Sequence, residues 1–152
     1  MPNKPTSFYY NITLTIVKYL GVDYGDKKIG LAIAGSDVRV ALVYDSIKTE
    51  NAINKIKRIC NIENIDQIVI GLPLSMKGFE TEQTQKTKKF INLLKAKIDL
   101  QINEHDERLT TRMSGRITSG KPSLLTRGEK LKIDKDQASA VLILQSYIDM
   151  IK

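Results

Sequence analysis

The sequence of 152 residues contains only one cysteine, Cys60, and only one histidine, His105. One cysteine cannot close an intrachain disulfide, so the class of small disulfide-stapled proteins is excluded. With a single histidine, we expect neither a His-based metal site nor a conventional Ser-His-Asp triad. The apolar runs, such as residues 140–144, are far shorter than the roughly 18–20 residues that a membrane-spanning helix needs, so we expect no membrane span.

The composition is typical of a globular protein rather than a disordered one, with 41% apolar and 27% charged residues. A chain of this length is expected to form one domain. Near the N-terminus, Asn11, Thr13 and Thr15 interrupt the apolar stretch that a secretory signal requires. We therefore predict a flexible N-terminal extension over residues 1–16 and a single domain over residues 17–152.

Acidic residues are scarce relative to basic ones, since 24 Lys and Arg against 17 Asp and Glu give a net charge of +7. Most of this excess lies in residues 108–135, here called the basic arm, which contains eight Lys and Arg residues and only two acids. The arm also contains Gly and Pro, which predict a mobile loop or a frayed helix. It suits a phosphate backbone, because cations that neutralise phosphates release counterions, although a solvated surface loop is the alternative. The candidate nucleic-acid contacts are Arg108, Arg112, Arg116, Lys121, Arg127, Lys130 and Lys132.

Hydrophobic patterning predicts five strands and three helices. The strands are expected over residues 18–24, 28–34, 38–47, 67–71 and 100–104. The helices are expected over residues 51–62, 84–98 and 136–151. Cys60 falls on the apolar side of the first helix and is expected to be a buried, inert thiol. Three antiparallel strands followed by β-α-β-α-β crossovers predict an α/β fold, a five-stranded mixed sheet of order β-β-β-α-β-α-β-α flanked by helices, which is the element order of the ribonuclease H-like fold.

The first predicted strand ends on a carboxylate, Asp23, in an otherwise apolar run. A buried charge is costly unless it is paired or binds a metal ion. Gly25 follows closely and allows the backbone to turn tightly beside the carboxylate. Two interpretations stay open at this point: Asp23 hydrogen-bonds its own turn, or it is a metal ligand.

Further acids lie where the fifth strand ends and where the last helix begins. Asp106 and Glu107 follow the strand, and Asp136 opens the helix on the same side as its apolar stripe. The first and fifth strands are expected to run parallel, so their carboxyl ends meet at one edge of the sheet, where ligands of α/β sheets bind. The alternatives are a surface salt-bridge cluster for Asp106 and Glu107, and a helix cap for Asp136, although Asp134 can supply the cap instead.

Three or four acids converging from these elements form a site for hard divalent cations, because Mg²⁺ takes oxygen ligands. Two such ions about 4 Å apart can activate a water molecule and stabilise the leaving oxygen in phosphodiester hydrolysis. The sequence therefore predicts a metal-dependent phosphodiesterase site built from Asp23, the Asp106–Glu107 pair and Asp136.

Four ordered segments resemble the YqgF/RuvX family: residues 18–34 (KYLGVDYGDKKIGLAIA), 68–78 (IVIGLPLSMKG), 105–111 (HDERLTT) and 136–149 (DQASAVLILQSYID). The resemblance covers about residues 17–151. Members of this family are described as pre-16S rRNA nucleases or Holliday junction resolvases, and they are similar in fold to ribonuclease H and to the RuvC resolvase.

The resemblance implies roles for particular residues. The acidic site falls on Asp23, on the Asp106–Glu107 pair with Glu107 favoured as the metal ligand, and on Asp136. Arg108 is implied to orient the acids or to contact phosphate, and Gly71 and Pro73 to form the turn after the fourth strand. Residues 112–133 depart from the family pattern, since Gly and Pro stand where the family has a helical stretch and a dense basic cluster.

The leading hypothesis is a cytoplasmic nuclease that uses one or two Mg²⁺ or Mn²⁺ ions and matures the 5′ end of pre-16S rRNA in ribosome biogenesis. The second hypothesis is a Holliday junction resolvase acting on four-way DNA, which cuts two strands symmetrically and should therefore act as a dimer. The third is a non-catalytic RNA-binding assembly factor. The sequence leaves open whether the protein is a monomer or a homodimer, and it predicts no membrane partner.

Overall fold

The computed structural model describes residues 15–110 and 134–151. The predicted extension therefore lies almost entirely outside the described residues. The same holds for six of the candidate nucleic-acid contacts, namely Arg112, Arg116, Lys121, Arg127, Lys130 and Lys132. The extension, the single domain over residues 17–152 and these contacts stay predictions.

Five strands form one mixed sheet of spatial order β3-β2-β1-β4-β5. The first two strands, β1 and β2, pair antiparallel, as do β2 and β3. Strand β4 runs parallel to both β1 and β5, so β1 and β5 point the same way with β4 between them, as predicted. The strand bounds are Lys18–Asp23 (β1), Lys28–Gly35 (β2), Leu42–Lys48 (β3), Gln67–Leu72 (β4) and Gln101–Asp106 (β5).

Helices cover both faces of the sheet, which confirms the predicted architecture. Helices α1 (Ala52–Ile62) and α2 (Glu82–Lys97) pack on one face, and α3 (Lys135–Met150) packs on the other. Side chains alternate along β1, so that Leu20 and Val22 enter the core below α1 and α2 while Tyr19 enters the core below α3. No helix in the described part of the chain has the length and apolar character needed to cross a membrane.

The apolar residues that recur at helical spacing in the sequence are largely the ones that the helices bury. Helix α2 buries Thr87, Phe90, Ile91 and Leu94, and Ile98 beyond its end is buried as well. Helix α1 buries Cys60 in an apolar setting that raises the pKa of its thiol to about 11, which confirms the expected inert cysteine.

The third strand begins at Leu42 and not at residue 38 as predicted. Arg39 has a positive φ of 59°, which a continuous strand cannot accommodate. Its guanidinium donates to the carbonyl oxygens of Ile148 and Ile151, and the backbone N–H of Ala41 donates to Gln145 Oε1 over 2.9 Å. The segment before Leu42 is therefore bound to the end of α3 and does not extend the ladder between β2 and β3.

The fourth and fifth strands run further than predicted. β4 continues through Gly71 to Leu72, so the prediction that Gly71 forms a turn is wrong. Gly71 pairs with His105 of β5 and is therefore part of the ladder between β4 and β5. Pro73 is the first residue beyond β4, and its carbonyl oxygen accepts a hydrogen bond from the Thr84 hydroxyl at the start of α2. The turn itself lies further on, at residues 76–77. Gly25, by contrast, lies in the link between β1 and β2, as predicted.

Candidate functional site

Asp23 is the last residue of the central strand β1 and lies on the sheet face that α3 covers. Burial and, next, the negative charges of Glu107 and Asp136 raise the pKa of its carboxyl group from 3.8 to about 7. Within residues 15–110 and 134–151, no lysine or arginine forms an ion pair with it. Asp23 is therefore a half-buried acid in an uncompensated negative field.

Glu107 reaches Asp23 across the end of β4. Its backbone N–H donates to the carbonyl oxygen of Leu72 over 3.1 Å, which holds it directly beyond β5. Its side chain lies over Gly71, where a Cβ atom would come within 2.7 Å of the Glu107 Oε1 atom. Because Val22 pairs with Ile70, the next residues, Asp23 and Gly71, are neighbours in the sheet. Burial, followed by the charge of Asp106, raises the pKa of Glu107 as well.

Asp136 approaches Asp23 from the opposite side, over β2. It lies in the first turn of α3, and Asp134 occupies the N-cap position, with its backbone N–H donating to Gln137 Oε1 over 3.2 Å. The carbonyl oxygen of Asp136 sits so close to Gly30 that a Cβ atom on Gly30 would lie 1.9 Å from it. Gly30 is the register partner of Asp23, so the start of α3 lies beside that carboxylate.

Three glycines allow this close approach of α3 to the sheet. We call Gly30, Gly21 and Gly71, on the adjacent strands β2, β1 and β4, the glycine track. A Cβ atom on Gly21 would lie 2.7 Å from the Leu144 Cβ atom, and one on Gly71 would lie 2.5 Å from the Ile143 Cδ1 atom. A glycine inside a strand marks such close contacts. The track thus sets the position of Asp136 on α3 and of the Glu107 side chain.

The side chain of Asp106 is bound by Arg108 and is not one of the acids placed around Asp23. The Arg108 Nε and Nη2 atoms donate to both carboxylate oxygens of Asp106, at 2.6–3.1 Å, and its backbone N–H donates to Oδ1 over 2.9 Å. The side-chain hydrogen bonds from Arg108 lower the pKa of Asp106. The Arg108 guanidinium also lies against Gly78, in the loop between β4 and α2. The geometry therefore singles out Glu107 of the pair as the partner of Asp23, and the Arg108 side chain engages Asp106.

The donor chemistry of Asp23, Glu107 and Asp136 suits a hard divalent cation, since all three offer carboxylate oxygens. Burial raises the pKa of Asp23 most, and the charges of Glu107 and Asp136, which raise it further, would favour such an ion. In the described part of the chain, however, no three His, Cys, Asp or Glu side chains are close enough to hold one metal ion together.

The sequence gives no direct indication of a buried polar pair behind the site. His105 of β5 and Ser146 of α3 are both buried, and His105 Nε2 and Ser146 Oγ lie 2.8 Å apart. The Tyr147 ring packs edge-on to the His105 ring, with centroids 6.0 Å apart. These contacts join α3 to the strand that precedes Glu107. The available signal was that Ser146 lies three residues after the apolar Ile143 and therefore on the same side of the predicted helix.

The free energy of unfolding should fall as pH rises from about 4 to about 7 in metal-free buffer. Because the pKa of Asp23 is about 7 in the folded chain and near 3.8 without burial, the folded protein retains a proton in this window that the unfolded chain has released. This contribution is fully present below the unfolded pKa and is lost as pH rises through the folded pKa. Urea unfolding of the wild type and of Asp23→Asn at pH 5 and pH 8 measures it. The variant should show the smaller loss of stability, and equal losses in the two proteins would contradict the assignment.

Comparison with known proteins finds a family model and curated relatives that match most of the chain. A family model described as "RuvX: Holliday junction resolvase" matches residues 17–150. A relative from Endomicrobium trichonymphae, named "Putative pre-16S rRNA nuclease", is 36% identical over 137 residues, which cover 88% of this chain and 96% of the relative. A relative of the same name from Orientia tsutsugamushi (strain Ikeda) is 40% identical over 131 residues, covering 85% and 82% of the two chains.

Among solved structures, the fold is similar to that of the T. thermophilus RuvC in complex with a Holliday junction substrate. The TM-score is 0.61 with 9% sequence identity, and the match covers 86% of this chain and 91% of the other. At this identity the likeness concerns the fold alone, and it confirms the predicted ribonuclease H-like architecture.

Proposed function

The chain belongs to the RuvX family, and from this membership we propose that it is a nuclease that hydrolyses phosphodiester bonds in nucleic acid. The observation that carries the proposal is the placement of Asp23, Glu107 and Asp136 at one edge of the sheet, where burial and the charges of the other two acids raise the pKa of Asp23 to about 7. Nuclease and resolvase relatives act on anionic polymers by name, and the net charge of +7 on this chain suits such a substrate.

Asp23, Glu107 and Asp136 are the residues that would hold one or two Mg²⁺ or Mn²⁺ ions. Such ions, when bound, supply Lewis-acid activation of water and stabilise the leaving oxygen. Glu107 flanks Asp23 from beyond β5 and Asp136 flanks it from the start of α3. Burial, together with these two charges, raises the pKa of the Asp23 carboxyl to about 7, and bound cations would offset the charges. Binding of metal ions therefore requires loss of the carboxyl proton and weakens as the pH falls.

The basic arm brings the phosphate backbone to these acids in our proposal. Three carboxylates repel a polyanion, and the cations between Arg108 and Lys135 offset this repulsion. Of the candidate phosphate contacts in the arm, Arg108 is the one that lies within residues 15–110 and 134–151. Its guanidinium is committed to Asp106 and lies against Gly78, so we propose that it positions the chain around Glu107 and leaves phosphate contact to the residues after it.

Precursor 16S rRNA is the substrate that we favour, because the curated relatives from two organisms carry that activity in their names. Four-way DNA is the second candidate, because the family description names Holliday junction resolution. The chemistry at the carboxylates is the same for both. The two candidates differ in the shape of the substrate and in the need for two active sites, since symmetric cleavage of a junction requires a dimer.

Parallel cleavage assays on a pre-16S RNA fragment and on a four-way DNA junction, each with Mg²⁺ and with Mn²⁺, test the proposal. We expect metal-dependent cleavage of the RNA that is lost in Asp136→Ala, because that variant removes one carboxylate of the site. Asp149→Ala is the matched control, since Asp149 is an exposed acid near the other end of the same helix. Symmetric cleavage of the junction alone would favour the second candidate, and failure of the wild type to cleave either substrate with either ion would overturn the nuclease proposal.

A further inference from the structure

A groove of about 500 Å³ lies between α1 and α2, on the sheet face opposite to α3. Its apolar floor includes Tyr24 and Phe90, whose rings stack with centroids 4.8 Å apart and planes 28° apart. Ile53 and Leu93 line its sides, and Leu93 is 59% exposed. The groove therefore offers solvent-accessible apolar and aromatic surface against which a flat, partly apolar group can pack.

The rim of the groove is positively charged. Three lysines, Lys86, Lys89 and Lys97, line it, and no acidic residue does. Lys86 is partly neutralised, because its ammonium lies 3.3 Å from Asp26 and 3.6 Å from Glu82. No acid in the described part of the chain pairs with Lys89 or Lys97. Charge complementarity therefore favours an anionic occupant.

The groove opens at the edge of the sheet that carries the three acids. Tyr24 follows Asp23 in the chain, and the alternation of side chains sends the two to opposite faces. Thr49, which lines the groove, donates from its hydroxyl to the carbonyl oxygen of Gly25 over 2.7 Å. A polymer that crosses this edge at Asp23 can thus continue along the β1–β2 link into the groove.

We propose that this groove binds a single-stranded flank of the nucleic acid substrate. Lys89 and Lys97 contact its phosphates, and a base packs on the apolar surface formed by Tyr24 and Leu93. An apolar or aromatic platform beside cations that follow the backbone is the arrangement by which proteins hold single strands without reading their sequence. The inference rests on the proposed nuclease function, and it adds a second contact surface on the face of the sheet opposite to α3.

Binding of two labelled RNAs to the full chain tests the inference, measured by fluorescence anisotropy in metal-free buffer so that no cleavage occurs. One RNA is a duplex that carries single-stranded flanks on both sides, and the other is the same duplex without flanks. The double variant Lys89→Ala/Lys97→Ala should bind the flanked RNA about tenfold more weakly than the wild type does, with a salt slope lower by about 1.4, because each phosphate contact of a single strand contributes about 0.7. The RNA without flanks should bind the two proteins equally.

Lys57→Ala/Lys95→Ala is the matched control, because these lysines lie exposed on the same two helices and do not line the groove. This control should keep the wild-type preference for flanked RNA. Leu93→Ser should weaken binding of the flanked RNA without changing the salt slope. An unchanged affinity of the groove variant for flanked RNA, or an equal loss of affinity in the control, would overturn the inference. The inference would also be overturned if the groove substitutions weakened the binding of an acidic peptide but not the binding of flanked RNA. Failure of the wild type to cleave RNA would count against the proposed function alone, because the binding test needs no cleavage.

Discussion

Replacing Asp23 with asparagine should reduce cleavage by at least about a thousandfold, which corresponds to the several kcal/mol that metal ligation contributes to the transition state. The carboxylate lies at the centre of the candidate site, between Glu107 and Asp136, so no other described acid can take its place. Binding of nucleic acid should survive or become tighter, because the variant removes a negative charge that opposes the phosphates. Cleavage and anisotropy measured on the same substrate separate the two effects.

Asp26→Asn is the control for this variant. Asp26 lies three residues further along, is exposed, and pairs with Lys86 away from the acids, so its replacement should leave the cleavage rate close to that of the wild type. Unchanged turnover in Asp23→Asn would remove Asp23 from the mechanism. A loss of turnover accompanied by unfolding would also contradict our reasoning, since we expect the uncharged side chain to stabilise the fold at pH 8.

Replacing Gly30 with alanine should destabilise the protein by about 3 kcal/mol, within the range found when extra atoms are forced into a packed core. The new methyl group would meet the backbone of Asp136, which cannot move without shifting the start of α3. Cleavage should fall as well, because the same shift carries the Asp136 carboxylate away from Asp23. Urea unfolding and cleavage assays below the unfolding transition measure the two consequences.

Gly35→Ala provides the comparison for this substitution. A methyl group at Gly35 meets the side chain of Asp37, which is exposed and can rotate away, so we expect a much smaller loss of stability and full activity. If Gly30→Ala were as stable and as active as Gly35→Ala, the close seating of α3 on the glycine track would be wrong.

Much of the fold follows from hydrophobic periodicity alone. The alternation in residues 18–23 and the stripe that ends at Leu94 and Ile98 determine which faces are buried, and short connections leave few ways to arrange the strands. Asp23 was identifiable because a carboxylate that ends an apolar strand is costly without a partner. The parallel direction of β1 and β5 then placed the acids after β5 at the same edge.

Details that depend on distant parts of the chain could not be predicted from local patterns. Arg39 leaves the strand because carbonyl oxygens at the end of α3 accept its hydrogen bonds, more than 100 residues away. Gly71 resembled a turn residue because Pro73 follows it, whereas its function is to make room for Glu107. Which of Asp106 and Glu107 lies beside Asp23 depends on the sheet face towards which each side chain points. That direction depends on the residue at which β5 ends.

The position of α3 after all five strands in the chain has a consequence for how the protein is made. Strand β1 supplies Asp23 early in synthesis, but α3 carries Asp136 and covers the whole second face of the sheet. Until residues 135–150 have left the ribosome, Val69 and the rest of that face lack their covering helix, and the site lacks its last acid. Small domains fold as units once their chain is available. The three acids therefore come together only when the core is completed. A nascent chain, or one that lacks α3, does not hold Asp136 beside Asp23 while it is close to ribosomal RNA.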